Sequence, residues 1–249
     1  MNLETANILI TGGAGAFGRA LTAGLCETAK QVIVVDRNPE ALNTLFQEFP
    51  RVRGYCTELT DAPAVEKLAE QIYQDFGSVN VLINNAGIIH SEPLVNMLSA
   101  ESPKHRIDNW LNTLNINLNA VFFVTVNIAS KMVRNRNKGV IINISSISSY
   151  GNAGQSAYAA SKAALNALTV TWSKELGMFG IRSVAIAPGF IDTHSTQEAL
   201  TESKLKTYKN MTPLGRLGKT EELLHAVKFV IENDFYNGSI LNLDGGLKL

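Results

Sequence analysis

The sequence predicts an α/β fold, a doubly wound parallel sheet of seven strands covered by helices on both faces. Three observations carry that expectation. Seven short runs rich in Val and Ile recur along the 249 residues, helix-like stretches separate them, and the runs are continuously apolar rather than alternating. An alternating strand has one wet face, whereas a continuously apolar one belongs in a sheet covered on both sides. Alternation of strand and helix favours parallel neighbours joined by right-handed crossovers.

The elements follow in order. NILIT (7–11) is the first strand, and a glycine-rich segment leads from it into a helix over 16–29. QVIVVD (31–36) and VRGYC (52–56) come next, then a helix over 62–76 and the strand VNVLIN (79–84). A long helical stretch covers 108–136 before GVIINIS (139–145), and another covers 156–178 before RSVAIA (182–187). A helix over 220–232 precedes the last strand, SILNLD (239–244). Trp110 and Trp172 read as helix packing residues. Nothing in the chain looks like a linker, repeat or low-complexity segment, so one domain spanning 1–249 is expected. Two longer irregular segments, about 88–107 and 189–218, each follow the C-terminal end of a strand. Open α/β sheets bind ligands at that edge, so these are the expected substrate loops.

Composition narrows the function classes. Lys plus Arg and Asp plus Glu number 22 each, so no net charge draws the chain to nucleic acid or an anionic membrane. The basic run KMVRNRNK (131–138) reads as a solvated helix end, where cations suit the dipole. Cys26 and Cys56 form neither a disulfide framework nor a metal spacing, which suits a reducing compartment. The N-terminus lacks the basic and apolar regions of a signal peptide, and no run approaches about 18 consecutive apolar residues. A cytoplasmic protein with neither membrane nor nucleic-acid partner is expected. His90, His105, His194 and His225 show no metal-binding spacing, so no metal is expected; His90 and His194 fall within the presumed substrate loops.

Gly12, Gly13, Gly15 and Gly18 lie between the first strand and the first helix. Glycines there let the backbone turn tightly and approach a pyrophosphate, whose charge sits on the helix N-terminus. Asp36 ends the next strand 24 residues after Gly12, about where a carboxylate meets the adenosine ribose. A 2′-phosphate beside that carboxylate would be repelled, so NAD is expected over NADP, although the neighbouring Arg37 could hold a phosphate.

Tyr158 and Lys162 stand four apart in AYAASKAALNAL, which places them on one helix face. A free tyrosine titrates near 10, too high for a base at neutral pH. Lowering that by about 2–3 units needs roughly 3–4 kcal/mol, the order that a cation about 4–5 Å away supplies at an effective dielectric of about 20. Lys162 is therefore expected to lower the Tyr158 phenol while Tyr158 passes a proton.

Taken in order, Gly12-x-x-Gly15-x-x-Gly18, NNAG (84–87), Asn117 in NINLNAVF, the serines after VIIN, Tyr158-x-x-x-Lys162 and PGFIDT (188–193) resemble the short-chain dehydrogenase/reductase family over essentially the whole chain. The resemblance implies a Rossmann-type single domain, a nicotinamide cofactor, hydride transfer between alcohol and carbonyl, and a homotetramer. It also implies roles for individual residues. Tyr158 would be the proton donor or acceptor, Lys162 would hold the nicotinamide ribose, and Asn117 would anchor a water in the proton relay. A serine ending the fifth strand would bond the substrate oxygen. The family's usual spacing, 13 positions before the tyrosine, lands on Ser145, whereas counting from the strand lands on Ser146. Only one can face the ligand, because adjacent strand side chains point oppositely; the strand count favours Ser146. Tyr150 is a candidate lining residue of the substrate site.

For the cofactor, the resemblance adds Ala16 and Phe17 to the glycines. It also brings Glu58 and Leu59 at the adenine, Asn85, Ala86 and Gly87 at its ribose, and Pro188, Gly189, Ile191 and Thr193 at the nicotinamide. Ala16 replaces a usual glycine and Glu58 a usual aspartate; alanine is small and glutamate keeps the acceptor. TPLGRLGKTEEL and GNAGQSAYAASKAAL are similar to 3-oxoacyl-acyl-carrier-protein reductases, which normally use NADPH. The loop after NNAG and VIENDFYNGSILNLDGG resemble type-2 3-hydroxyacyl-CoA dehydrogenases, which use NAD. A 3-oxo or 3-hydroxy acyl thioester is thus the expected substrate, with a steroid or small secondary alcohol as the alternative. Epimerases share the glycine spacing but carry an added substrate domain. A non-enzymatic dinucleotide sensor would be expected to have lost Tyr158 or Lys162.

Overall fold

In a computed structural model, residues 1–98, 103–193 and 201–249 are described. Seven parallel strands form one sheet: β1 (Asn7–Thr11), β2 (Gln31–Asp36), β3 (Arg53–Cys56), β4 (Val81–Asn84), β5 (Gly139–Ile144), β6 (Ile181–Pro188) and β9 (Ile240–Leu243). Their spatial order is β3-β2-β1-β4-β5-β6-β9, so the direction of winding reverses between β1 and β4. The crevice at that reversal, outside the carboxyl ends of the strands, is where such sheets receive a ligand.

Each strand sends alternate side chains to opposite faces, and both faces are dry. Ile8 and Ile10 point into one apolar layer with α1 (Ala16–Cys26) and α2 (Pro39–Glu48). Leu9 points into the other with α3 (Ala62–Phe76) and α5 (Ala120–Arg134). Leu21 and Leu25, four apart on α1, are fully buried, and each such side chain contributes about 1.5–3 kcal/mol. The expected strands are all present, and their ends differ by no more than two residues from the sequence reading.

Helix α2 is an addition to the sequence reading. Its start is well specified: the Asn38 side chain accepts from Glu40 N and Ala41 N at 3.0 Å each, and Pro39 occupies the first turn. The expected helix over 108–136 is α4 (Ile107–Leu114), a π turn at Asn115–Asn119 and then α5. By length and composition that 28-residue run could cross a membrane, yet Val121, Val124, Ile128 and Met132 are buried in the domain. The second irregular segment contains regular elements among its described residues. It holds β7 (Ile191–Asp192), β8 (Gly218–Lys219) and helix α7 (Glu202–Met211), before α8 (Thr220–Glu232). His194 lies outside the described residues.

A polar chain crosses the apolar interior. Asn84 Nδ2 donates to Asn143 Oδ1 and to Thr125 Oγ1, both at 2.9 Å, and Asn143 Nδ2 donates to Thr169 Oγ1 at 2.9 Å. Asn84 and Asn143 are register partners on β4 and β5. Thr125 is on α5 and Thr169 on α6 (Ser156–Leu176), so the chain joins the sheet to both helices.

Candidate active site

The glycine loop follows from close backbone contact. Gly12 has a φ of +61°, in the left-handed region that favours glycine. A Cβ built on Gly18 would lie 2.1 Å from Gly12 O, and one on Gly13 2.3 Å from a Val34 methyl. Gly15 is the open position, with one neighbour at 3.3 Å. It precedes Ala16 and offers no side-chain cap to α1, so the first-turn N–H groups of α1 are free to meet an anion. Phe17 turns onto the first apolar layer. A pyrophosphate fits this cradle in both shape and sign.

Thr11, which the sequence reading passed over, ties the cradle to β4. Its Oγ1 accepts from Asn85 N at 3.0 Å and Ala86 N at 3.1 Å, while Asn85 Nδ2 donates to Thr11 O and Gly12 O at 3.0 Å each. Asn85 therefore holds the loop from behind. A hydroxyl ending an apolar strand just before the glycines was the available signal.

Asp36 sits at the carboxyl end of β2, with Oδ2 accepting from Ala14 N and Oδ1 from Asn38 N, both at 3.1 Å. Arg37 faces Glu58 across 3.8 Å. Glu58 Oε1 also accepts from Thr60 N and Oγ1, at 3.1 and 2.9 Å, and Leu59 beside it is buried. At the other side of the crevice Pro188 ends β6, and Gly189 N donates to Leu243 O at 2.9 Å. Ile191 pairs with Gly218, and Thr193 is buried.

The hydroxyl cluster lies on the same edge. Ser145 Oγ donates to Lys162 O at 3.2 Å, a bond that seats α6 against β5. Ser146 takes the opposite direction: its Oγ accepts from Ser148 N at 3.1 Å and bears on the Tyr158 phenol. Lys162 is buried, and its Nζ donates to Ile144 O at 2.7 Å while lying 5.7 Å from the Tyr158 ring centroid. A Cβ built on Gly87 would stand 3.1 Å from Asn117 Oδ1 and 3.6 Å from Lys162 Nζ, so all three groups meet at one point.

One expectation needs correction. The phenol of Tyr158 is raised, not lowered: burial dominates, and Ser146 only partly offsets it. The same burial lowers the Lys162 ammonium to about 8, and its hydrogen bond points to a carbonyl rather than to the phenol. Asn117 is fully buried in the π turn, and its amide is occupied by the backbone of Ile88: Oδ1 accepts from Ile88 N and Nδ2 donates to Ile88 O, both at 2.8 Å. It thus fixes the start of the loop after β4. Tyr150 is exposed, its hydroxyl 3.4 Å from Asn242 Oδ1. A cavity lined by Met1, Arg136, Arg182 and Phe235 opens at the amino-terminal edge of the sheet, away from this chemistry.

Residues 6–204 match the family described as short chain dehydrogenase. A 3-oxoacyl-acyl-carrier-protein reductase, FabG, of Thermotoga maritima is 38% identical over 254 residues, covering 99% of each chain. A gluconate 5-dehydrogenase from Burkholderia cenocepacia, in complex with NADP and tartrate, superposes with a TM-score of 0.90 at 29% identity, covering 99% of this chain and 96% of that one. A 7α-hydroxysteroid dehydrogenase complexed with NADH and a 7-oxo bile acid reaches the same TM-score at 25% identity, with the same coverage. The chain belongs to the short-chain dehydrogenase family and is an oxidoreductase that uses a nicotinamide dinucleotide on CH–OH groups.

Proposed function

We propose that the protein interconverts 3-oxoacyl and 3-hydroxyacyl thioesters with NAD(H), and that Tyr158 is the residue that moves the proton. The observation that carries the chemistry is a buried tyrosine with Ser146 on its phenol and the Lys162 ammonium 5.7 Å from its ring, at the cofactor edge of the sheet. The thioester reading draws on the 3-oxoacyl-acyl-carrier-protein reductase relative.

Bound nicotinamide supplies or accepts the hydride. The chain's residues do the rest. Burial keeps Tyr158 protonated, so its Oη–H is set to give a proton to a substrate carbonyl oxygen as the ketone is reduced. Ser146 donates a hydrogen bond to that oxygen as charge develops there. Lys162, with a positive charge below about pH 8, lends a cation to the departing phenolate. Asn117 positions the loop after β4 through Ile88. The loops that follow β4 and β6, at the carboxyl edge of the sheet, are the proposed acyl-binding side of the cleft. Gly12, Gly15, Gly18 and the first turn of α1 hold the pyrophosphate. Glu58 and Leu59 would face the adenine, Asn85, Ala86 and Gly87 its ribose, and Pro188, Gly189, Ile191 and Thr193 the nicotinamide.

Asp36 supports NAD over NADP: its carboxylate, held by two backbone donors at the end of β2, would repel a 2′-phosphate brought beside it. Arg37 is turned toward Glu58 instead. With acetoacetyl-CoA, oxidation of NADH is expected to exceed that of NADPH by at least about tenfold in kcat/KM, equivalent to about 1.4 kcal/mol. The reverse order would refute the Asp36 argument. Turnover with neither cofactor would point to non-thioester ketones.

The two serines are separable. Ser146→Ala is expected to lower kcat by about 10²–10³, the usual effect of removing one oxyanion donor. Ser145→Ala should mainly lower stability, by about 1 kcal/mol for one buried hydrogen bond. Equal kinetic losses in the two variants would overturn the assignment.

The protein is further proposed to work in the cytoplasm, where its two free cysteines stay reduced, and as a homotetramer. Leu111, Phe122 and Val126 expose apolar surface along α4 and α5. Light scattering should give a mass of about four chains; a monomer at working concentration would refute the assembly.

A further inference from the structure

We propose that His90, Glu92 and His105 form a binding site for one zinc-type divalent ion on the loop that follows β4. The two histidines are 15 residues apart and show no metal spacing in the sequence. The loop doubles back and brings them together: Asn96 N donates to Pro103 O at 2.7 Å and His105 N to Leu94 O at 3.1 Å. One ligand atom from each of the three side chains then lies within 4.8 Å of the other two.

The state of His105 argues for a cation. Its side chain is only 7% exposed. Nδ1 lies 3.1 Å from Glu92 O, and a carbonyl can only accept, so Nδ1 carries the proton. Nε2 is buried, makes no hydrogen bond and lies 3.9 Å from Glu92 Oε2. In neutral His105 this nitrogen offers a lone pair toward the Glu92 carboxylate, and an ion between the two would bond both. The backbone carbonyl behind His105 matches the arrangement that orients metal-bound imidazoles.

Glu92 is equally well prepared. Its Oε2 accepts from Asn109 Nδ2 at 2.8 Å and its Oε1 from Arg106 N at 3.0 Å. His90 Nε2 lies 2.9 Å from Oε2 and joins the set once its proton moves to Nδ1. The exposed Arg106 guanidinium is on the other oxygen, 3.7 Å from Oε1, so both histidines face Oε2, which Asn109 Nδ2 holds in place. Two imidazoles, one carboxylate and an open position make a donor set for zinc, whereas magnesium and calcium prefer oxygen ligands alone.

The site's place gives it a purpose. Glu92 N donates to Gly154 O at 2.7 Å and Gln155 Nε2 donates to Ser91 Oγ at 3.2 Å, joining the loop to the start of α6 just ahead of Tyr158. An ion on Glu92 would therefore fasten one wall of the cleft without touching the reacting groups.

The test uses the full chain, stripped by a chelator and titrated with Zn²⁺ and with Co²⁺, with X-ray absorption on the zinc-loaded protein. One ion per chain and outer-shell scattering from two imidazoles are expected, with no competition from equimolar Mg²⁺. His90→Gln and His105→Gln should each weaken binding by at least about tenfold. Absence of stoichiometric uptake, or undiminished affinity in both variants, would overturn the proposal. Should a variant fail to fold, the absorption spectrum of the unaltered protein decides, and a site without imidazole ligands refutes it.

Discussion

Tyr158→Phe is expected to lower turnover by about 10²–10⁴, the usual contribution of a positioned proton donor, while cofactor affinity stays within a few-fold of the parent. The ring is buried against α6's own neighbours, and phenylalanine fills the same volume, so packing is conserved. What disappears is the hydroxyl beside Ser146. Steady-state kinetics with either coenzyme, paired with a fluorescence titration of the reduced coenzyme, would separate the two effects. Retained turnover would remove Tyr158 from the reaction. A loss of coenzyme affinity matching the loss of turnover would make the residue structural.

Gly18→Ala is expected to weaken dinucleotide binding by more than about a hundredfold and to lower stability by about 1–3 kcal/mol, the usual range for overpacking. The added carbon would sit 2.1 Å from Gly12 O and 2.6 Å from Gly13 Cα. Both obstacles are backbone, so the loop itself must open. Gly15→Ala provides the contrast: its new carbon meets only Gly12 O, at 3.3 Å. That variant should keep its thermal midpoint and lose affinity, because the methyl would stand where the pyrophosphate approaches. Thermal unfolding and coenzyme titration on both variants would check the pair. Unchanged affinity in both would mean that the loop is not the phosphate cradle.

Much of the fold was legible because buried parallel strands are written as unbroken apolar runs, and here each run became a strand. Helix α2 was harder to see. It buries only Leu42 and Leu45, so its apolar stripe is thin, although Asn38-Pro39 announces its start. The π turn at Asn115–Asn119 has no compositional mark, since it is a shift of hydrogen-bond partner within a helical stretch.

The candidate site was legible as an ordered set of residue types. Their electrostatics were not. Pairing Tyr158 with Lys162 by helical spacing suggested a lowered phenol, yet burial acts on both groups and Lys162 turns to Ile144 O. Nor did residue type show that the Asn85 and Asn117 amides also brace backbone, since an amide offers donor and acceptor to whichever partner is nearer. The histidine pair was invisible for a different reason: only the doubling back of its loop makes His90 and His105 neighbours.

The polar chain through Asn84 and Asn143 bears on a weakness of such sheets. Strands reading VLIN and VIIN present Val, Leu and Ile on every side, so sliding one past the other exchanges one aliphatic contact for another. Nothing in an unbroken apolar run says where it should stop. A pair of amides does. Any slip of β4 along β5 would leave their N–H groups against hydrocarbon, at about 1–3 kcal/mol for each group left without a partner. The two asparagines thus act as a notch that sets the alignment of the central strands. Because NNAG begins at Asn84 and the serines follow Asn143, that notch also sets how far each half of the active-site edge projects toward the other.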